Sequence, residues 1–327
     1  MIATDRKMSL AYRGLRNYLT KRPLSVSFEI TYSCNAHCKH CHLGGIIKNE
    51  DQASPEKFGE LAEIIQPVVA QVSGGEPLLR KDVADVVKAI RRPNKAPYII
   101  LTTNARLLRK ENYYELLEAG VDQFSISLDY PDERHDQFRK IRGLYKYIEN
   151  LIHELHNENE KKITFSCVVQ KDNFRELKNI AKLVQDWGAN VNFSTYTWLR
   201  TKNKDYMLTK NDLPEFRQIV KELLEMNASN NNSFANEYTF NRMIEFFEKG
   251  TIANCRAGER FFIVNPNGKL SPCGLILKYY NDVKEMKNKF VKKNTCVDCN
   301  TCIRASCEKP IINHIRENFG GHKGFAY

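Results

Sequence analysis

Residues 29–45 read EITYSCNAHCKHCHLGG and place three cysteines, Cys34, Cys38 and Cys41, within eight positions, directly after an apolar, alternating run. Three thiols are an incomplete set for most purposes. Disulfides consume cysteines in pairs. Zinc takes four ligands and would need a histidine from the same loop, where His37, His40 and His42 stand ready. A four-iron cluster takes one thiolate per iron, so three thiolates leave one iron without a protein ligand and able to bind a small molecule directly. On the loop alone, the zinc and the iron–sulfur readings both stand.

Three later segments bear on the choice, each at the end of an apolar run. VSGGEPLL (72–79) carries Gly74, Gly75 and Glu76, TTN (102–104) carries Asn104, and SISLD (125–129) carries Ser127 and Asp129. Two glycines let the backbone approach a ligand closely, and Glu76 can accept a charge-assisted bond from an ammonium group. Ser127 and Asp129 are two apart on a strand and so share a face. Each segment is weak by itself, since GG dipeptides mostly mark turns; their order at successive strand ends is what counts. Together with Cys34-x3-Cys38-x2-Cys41 they resemble the radical S-adenosylmethionine (SAM) enzymes, over roughly residues 24–200. That resemblance implies a [4Fe-4S] cluster on the three cysteines, with SAM chelated by the open iron through its amino and carboxylate groups. It also implies one-electron cleavage of SAM to a 5′-deoxyadenosyl radical that abstracts hydrogen from a substrate. Cys34, Cys38 and Cys41 are then the catalytic ligands. His40, in the family's aromatic position before the last cysteine, packs on SAM; Gly74, Gly75, Glu76 and Asn104 line the SAM site; Ser127 and Asp129 contact the ribose. Arg139 is expected at a helix start facing solvent. Gln170 and Asn173 are pocket candidates, and Cys167, inside a strand, reads as a small buried hydrophobe.

Six of the ten cysteines lie beyond residue 254. In FFIVNPNGKLSPC two short extended runs flank Asn267-Gly268, a hairpin signal that would bring Cys255 and Cys273 to one end. Cys296-x2-Cys299-x2-Cys302-x4-Cys307 follows, close to a ferredoxin run. A zinc knuckle would use the same residue types. The spacing Cys255, Gly268, Cys273 resembles the SPASM or twitch region that follows the barrel in many radical SAM enzymes, although the full SPASM pattern has one further cysteine. The resemblance implies one or two auxiliary [4Fe-4S] clusters. Six thiols allow one fully ligated cluster with two spare, or two clusters of three; by analogy the latter would group Cys255, Cys273 and Cys307 apart from Cys296, Cys299 and Cys302. With potentials tunable over roughly −700 to +450 mV, such a cluster can take up the electron left on a product radical, and with an open iron it can hold substrate.

The elements that must position these groups are legible as periodicity. LSVSFEI (24–30), VVAQV (68–72), YIILTT (98–103), DQFSISL (122–128), ITFSCVV (163–169) and VNFSTYT (191–197) read as strands, with PEKFGELAEII, VADVVKAI, NYYELLEA, LYKYIENLIHEL and FRELKNIAKLVQDW as helices between them. Alternation of this kind makes a parallel sheet with right-handed crossovers. Six units fall short of the eight of a closed barrel. The expected fold is therefore α/β: a partial (β/α)6 TIM-like barrel over residues 24–250, preceded by a basic helix at 1–23 and followed by a small cysteine-rich SPASM/twitch-like domain at 251–327. Helices around 211–226 and 237–248 would flank a polar loop at 227–233. In parallel α/β folds the site gathers at the carboxyl ends of the strands, where the three-cysteine loop lies.

The chain has 327 residues, 50 basic against 39 acidic, and neither an apolar run long enough to span a membrane nor a secretory signal at its start. A cytoplasmic location, where thiols stay reduced, is the expectation. An electron donor such as flavodoxin or ferredoxin is implied by the family resemblance. The same tail accompanies peptide crosslinking and oxidation, and also small-molecule, porphyrin, lipid and cofactor-precursor chemistry. About two dozen residues precede the first strand, little room for a leader-binding domain, which weighs against a peptide. Met8, Tyr12, Leu15 and Leu19 recur at helical spacing among basic residues. Such a helix plugs the bottom of a barrel or lies on an anionic membrane, and a peripheral membrane contact through residues 1–22 would favour a lipid substrate. Nucleic acid is disfavoured, because no aromatic–basic interleaving occurs. The non-catalytic alternative is an iron–sulfur or zinc protein that senses redox state or scaffolds others.

Overall fold

The computed structural model describes residues 4–91, 96–155, 162–230 and 237–314. Helix α1 (Thr4–Leu19) leads into alternating strands and helices: β1 (Ser25–Thr31), α2 (Pro55–Ile65), β2 (Val69–Gly74), α3 (Val83–Arg91), β3 (Tyr98–Thr103), α4 (Lys110–Ala119), β4 (Gln123–Ser127), α5 (Arg134–Arg139), α6 (Leu144–Glu154), β5 (Ile163–Val169), α7 (Leu177–Asp186) and β6 (Asn190–Thr195). Then come α8 (Leu213–Asn230), α9 (Glu237–Lys249), β7 (Phe261–Val264), β8 (Leu270–Ser271), α10 (Val283–Lys289) and α11 (Cys302–Cys307).

Strands β1 to β6 stand side by side in chain order, every pair parallel. Helices cover the outer face of such a sheet; all seven residues of β1 are buried, with Val26, Phe28 and Ile30 alternating with Ser25, Ser27, Glu29 and Thr31. The helices supply the matching stripe. In α2, Phe58, Leu61, Ala62 and Ile65 are buried at helical spacing, Ser54 caps the start by accepting from the Lys57 N–H, and Pro55 fits the first turn. Burying a side chain such as Phe58 contributes about 1.5–3 kcal/mol. Lysines and glutamates on the outer faces leave the stripe no other way to face.

The open (β/α)6 sheet is as expected, and so is the hairpin at Asn267-Gly268, where β7 and β8 pair antiparallel. Its placement was not foreseen. β7 runs parallel to β1, pairing Ser25 with Phe261 through to Phe28 with Val264, so the cysteine-rich region begins inside the barrel's own sheet. The full order is β6-β5-β4-β3-β2-β1-β7-β8. The polar stretch expected as a loop is helical over 227–230, where α8 continues to Asn230, and its remainder, 231–233, lies outside the described residues. No helix among the described residues is long and apolar enough to cross a membrane.

Candidate active site

The loop after β1 closes on itself where the Cys34 N–H donates to the Gly45 carbonyl at 2.9 Å. This brings the three thiols into one another's electrostatic field. Each sulfur accepts one N–H: the Ala36 amide on Cys34 at 3.4 Å, the Leu43 amide on Cys41 at 3.4 Å, and Arg139 Nη1 on Cys38 at 3.6 Å. Such donors stabilise thiolates. Burial works against them, pushing Cys34 up to about 11 and raising Cys38 despite the pull of Arg139. A trio of crowded thiols with sulfur-directed donors fits a cationic metal cluster, whose charge favours the thiolates that burial disfavours. The zinc alternative fits less well. His40 lies flat on Phe138, ring centres 5.0 Å apart, and the His37 ring fills the space a side chain at Gly44 would need. Among the described residues no three His, Cys, Asp or Glu side chains converge on a single ion.

Arg139 does not face solvent. It ends α5 rather than starting it, is buried, and donates through Nε (2.7 Å) and Nη2 (2.6 Å) to Asp129 Oδ2. Asp129 differs from expectation in turn. Its carboxylate is fully buried, with Oδ1 accepting from the Val168 N–H at 3.1 Å, so it orients Arg139 instead of sharing an open face with half-buried Ser127. Burial pushes Asp129 up, but Arg139, the neighbouring histidines and the Val168 N–H together hold it below the usual carboxylate range, whereas burial, aided by Arg139, lowers His135 beside it to about 4.

The glycine pair serves the protein's own backbone. A Cβ on Gly74 would sit 2.0 Å from the Thr31 carbonyl oxygen and one on Gly75 2.1 Å from that of Ser33, while φ at Gly74 is +139°. Bareness here lets the end of β2 lie against the start of the cysteine loop, with Gly75 N–H donating to Thr31 (2.7 Å) and Glu76 N–H to Ser33 (2.8 Å). Glu76 is fully buried. Its carboxylate accepts from Thr103 Oγ1 (2.6 Å), the Asn104 N–H (2.8 Å) and the Leu78 N–H (3.2 Å), and burial raises it to about 7. Through these contacts it locks the ends of β2 and β3 together. Asn104 then reaches Asn35 of the cysteine loop at 2.7 Å. His40 is neutral, lowered to about 4 by burial. Asn173 is buried and spent on the Asp129 and Val168 carbonyls, whereas both ends of the buried Gln170 amide lack a protein partner. Cys167 is fully buried.

A cavity of about 250 Å³ runs from the inner face of β1 and β2 to the tail; Glu29, Gln71 and Arg200 line one side and Cys255, Cys273, Cys296, Cys299 and Cys302 the other. The six tail thiols divide unequally. Cys255 and Cys296 share a proton across an S–H···S contact that holds Cys255 protonated and Cys296 low, and both Cys255 and Cys273 lie in the field of Cys299. Cys307 is buried with Ala257 and Phe261, a cluster against which Cys255 and Cys273 also pack, and it feels Cys302. Sequence reasoning passed over Glu29 and Arg200. Arg200 approaches Glu29 Oε1 at 3.8 Å, while Glu29 Oε2 is buried with no hydrogen-bond partner. An acid in the middle of a wholly buried strand was a readable signal. Arg200, in an irregular segment after β6, gave none.

Residues 28–184 match the radical SAM superfamily. AlbA of Bacillus subtilis, the biosynthesis protein of the antilisterial bacteriocin subtilosin, is 25% identical over 304 residues, covering 86% of this chain and 63% of that one. An AdoMet-dependent heme synthase of Methanosarcina barkeri is 24% identical over 298 residues, 84% of each chain. The chain thus spans under two thirds of the Bacillus relative. The fold resembles that of Streptococcus suis SuiB bound to the precursor peptide SuiA, with a TM-score of 0.61 at 16% identity, over 96% of this chain and 70% of that one.

Proposed function

We propose that this chain, which belongs to the radical SAM superfamily, reductively cleaves SAM at a [4Fe-4S] cluster on Cys34, Cys38 and Cys41 and oxidises or crosslinks a side chain of a peptide. When bound, the cluster supplies one electron to SAM, and the resulting 5′-deoxyadenosyl radical abstracts hydrogen from the substrate. The protein's part is electrostatic and positional. The Ala36 and Leu43 amides and Arg139 stabilise charge on the three sulfurs, and Asp129 keeps Arg139 aimed at Cys38. Ser127, His40 and Gln170 face the ligand, while Gly74, Gly75, Glu76 and Asn104 brace the strand ends that carry it. In the tail, Cys255, Cys273, Cys296 and Cys299 hold one fully ligated auxiliary cluster, with Cys302 and Cys307 spare. Residues 24–250 and 251–327 act as the two functional units, and a flavodoxin or ferredoxin supplies the electron.

The observation that carries the SAM reading is the N–H donor on each of the three loop sulfurs. The peptide reading is supported by cavity size. Pockets that engulf small ligands run from about 300 to 1,000 Å³, and a cavity of about 250 Å³ that must also hold a cluster suits an inserted side chain. Exposed Ile46 and Ile47 after one cysteine loop, and Leu277 and Tyr279 after Cys273, offer apolar footing outside it. Glu29 Oε2 is placed to accept from a hydrogen-bond donor on the inserted group. A tetrapyrrole is the second reading, favoured by the match to the heme synthase along 84% of each chain. Anaerobically reconstituted, dithionite-reduced protein should release 5′-deoxyadenosine from SAM; none released would overturn the reading, as a non-catalytic binding module requires. Faster release with a peptide encoded beside the gene, and not with an iron porphyrin, would decide the substrate class.

A further inference from the structure

Helix α1 is amphipathic in the sense opposite to a packed helix. Its inner face is mostly polar: Arg6 pairs with Asp122 at 2.5 Å through both nitrogens, Arg13 donates to the Pro67 carbonyl at 3.4 Å, and Asn17 Nδ2 donates to the Pro23 and Gln66 carbonyls at 2.8 and 2.9 Å. Leu10 adds apolar burial against Val69, Ala96, Tyr98 and Ile100, and the half-buried Tyr18 ring lies under Arg260. These contacts seat α1 beneath the amino-terminal ends of β2, β3 and β4. The helix therefore does close the bottom of the barrel, but the apolar stripe is not what it closes with. Met8, Tyr12, Leu15 and Leu19 are 68%, 69%, 51% and 69% exposed. At 100° per residue these four positions fall within a wedge of about 60°. Ile64, 73% exposed near the end of α2, flanks them beside Gln66, which Arg16 contacts.

We propose that this face docks on an anionic lipid surface. Residues 4–22 carry six basic side chains and one acid; Arg6, Arg13 and Arg16 engage Asp122, the Pro67 carbonyl and Gln66, while Lys7 on the helix and Lys21 and Arg22 just beyond it are exposed. A narrow apolar stripe with a tyrosine, edged by long cationic side chains, matches an interfacial helix, in which the apolar groups enter the acyl boundary and the cations meet headgroups. Protein interfaces, by contrast, are depleted in lysine. The geometry also fixes what docking would do. The stripe is at the amino-terminal end of the strands and the three-cysteine loop at the carboxyl-terminal end, so the docked protein turns its site away from the lipid. Docking localises the protein while leaving the site open to a soluble substrate and reductant, and it removes the argument for a lipid substrate. None of this depends on the reaction assigned above.

Flotation of the full chain with vesicles tests it. Protein should float with phosphatidylglycerol-rich vesicles and about tenfold less with pure phosphatidylcholine, with added salt releasing it. The double variant Tyr12→Asp/Leu15→Asp should stay at the bottom while keeping the wild-type melting temperature, since both side chains are exposed. Equal flotation of variant and wild type would overturn the proposal, as would no flotation of either. So would a concentration-dependent dimer that the variant abolishes while vesicles capture neither protein, because the stripe would then belong to a second copy.

Discussion

The two cysteine sites use the same device with different reach. At the first, buried Arg139 is gripped by Asp129 and sends one N–H to the Cys38 sulfur. At the second, fully buried Arg304 is gripped by Glu308, through Nε at 3.1 Å to both carboxylate oxygens, and sends Nη1 toward the Cys299 sulfur at 3.8 Å. Arg304 also binds the carbonyls of Cys299 (2.7 Å), Ile252 (2.7 Å) and Ala253 (2.9 Å). The first arginine therefore polarises a loop that already folds on itself. The second is itself the scaffold, fastening the end of the segment after α9 to the last cysteine run. An open site needs one loop held still, while a closed site needs distant segments brought together.

Removing one ligand from each site should split the activities most sharply. Cys38→Ala should drop 5′-deoxyadenosine release to background and cost roughly four irons per chain. Cys273→Ala should cost as many irons yet leave some SAM cleavage, with substrate turnover lost. Equal loss of cleavage in both variants would erase the distinction between an open and a closed site.

The arginines come next. Truncating one partner of a buried ion pair costs about 3–5 kcal/mol, so Arg139→Gln and Arg304→Gln should both lower stability to denaturant by that order. Their proteolytic patterns should differ, with Arg304→Gln opening the chain around residues 252–256 and Arg139→Gln leaving that segment protected. Arg139→Lys keeps the charge but loses the fork, and should recover only part of the loss.

How far the sequence could be read follows from the same contrast. The cysteine loop, the GGE turn and the strand ends were legible because each is local: ligands and supporting amides sit within a few residues. Arg139 was misjudged because nothing in HDQFRKIRG says that its partner is Asp129, ten residues back on another element. Glu76 and the glycines also brace two strand ends, which their motif did not reveal, since a close approach of two backbones looks in sequence like an approach to a ligand. β7 was found as a hairpin strand, yet its pairing with β1 crosses more than two hundred residues and leaves no periodic trace.

Glu76 gives a pH test of the brace between the strands. Its pKa is raised from 4.5 to about 7, chiefly by burial, so the folded state keeps the proton after the unfolded chain has released it. Stability from this group is complete below about pH 4.5 and is lost as pH rises through 7. The loss amounts to roughly 3 kcal/mol. In Glu76→Gln, whose amide oxygen can still accept from the Asn104 N–H while its NH2 donates to Thr103 Oγ1, that part of the decline should vanish. Denaturant midpoints for both proteins between pH 4 and pH 8 check this, and parallel curves would show that the carboxylate is ionised throughout.

The smallest expected effect bears most directly on the tail. Cys302 is exposed at the mouth of the cavity that Cys255, Cys273, Cys296 and Cys299 also line, and Cys307 is buried with Ala257 and Phe261 in a cluster against which Cys255 and Cys273 pack. A closed four-iron cluster needs four thiolates, and in the assignment proposed above Cys255, Cys273, Cys296 and Cys299 supply them. Cys302→Ser should therefore keep the full iron and sulfide content and nearly the full turnover, while Cys299→Ser should lose roughly four irons. If Cys302→Ser loses as much iron as Cys299→Ser, the tail thiols divide three and three, and the second site is as open as the first. Its cluster would then have an iron free to hold substrate, and the contrast between the two sites would become one between two open clusters.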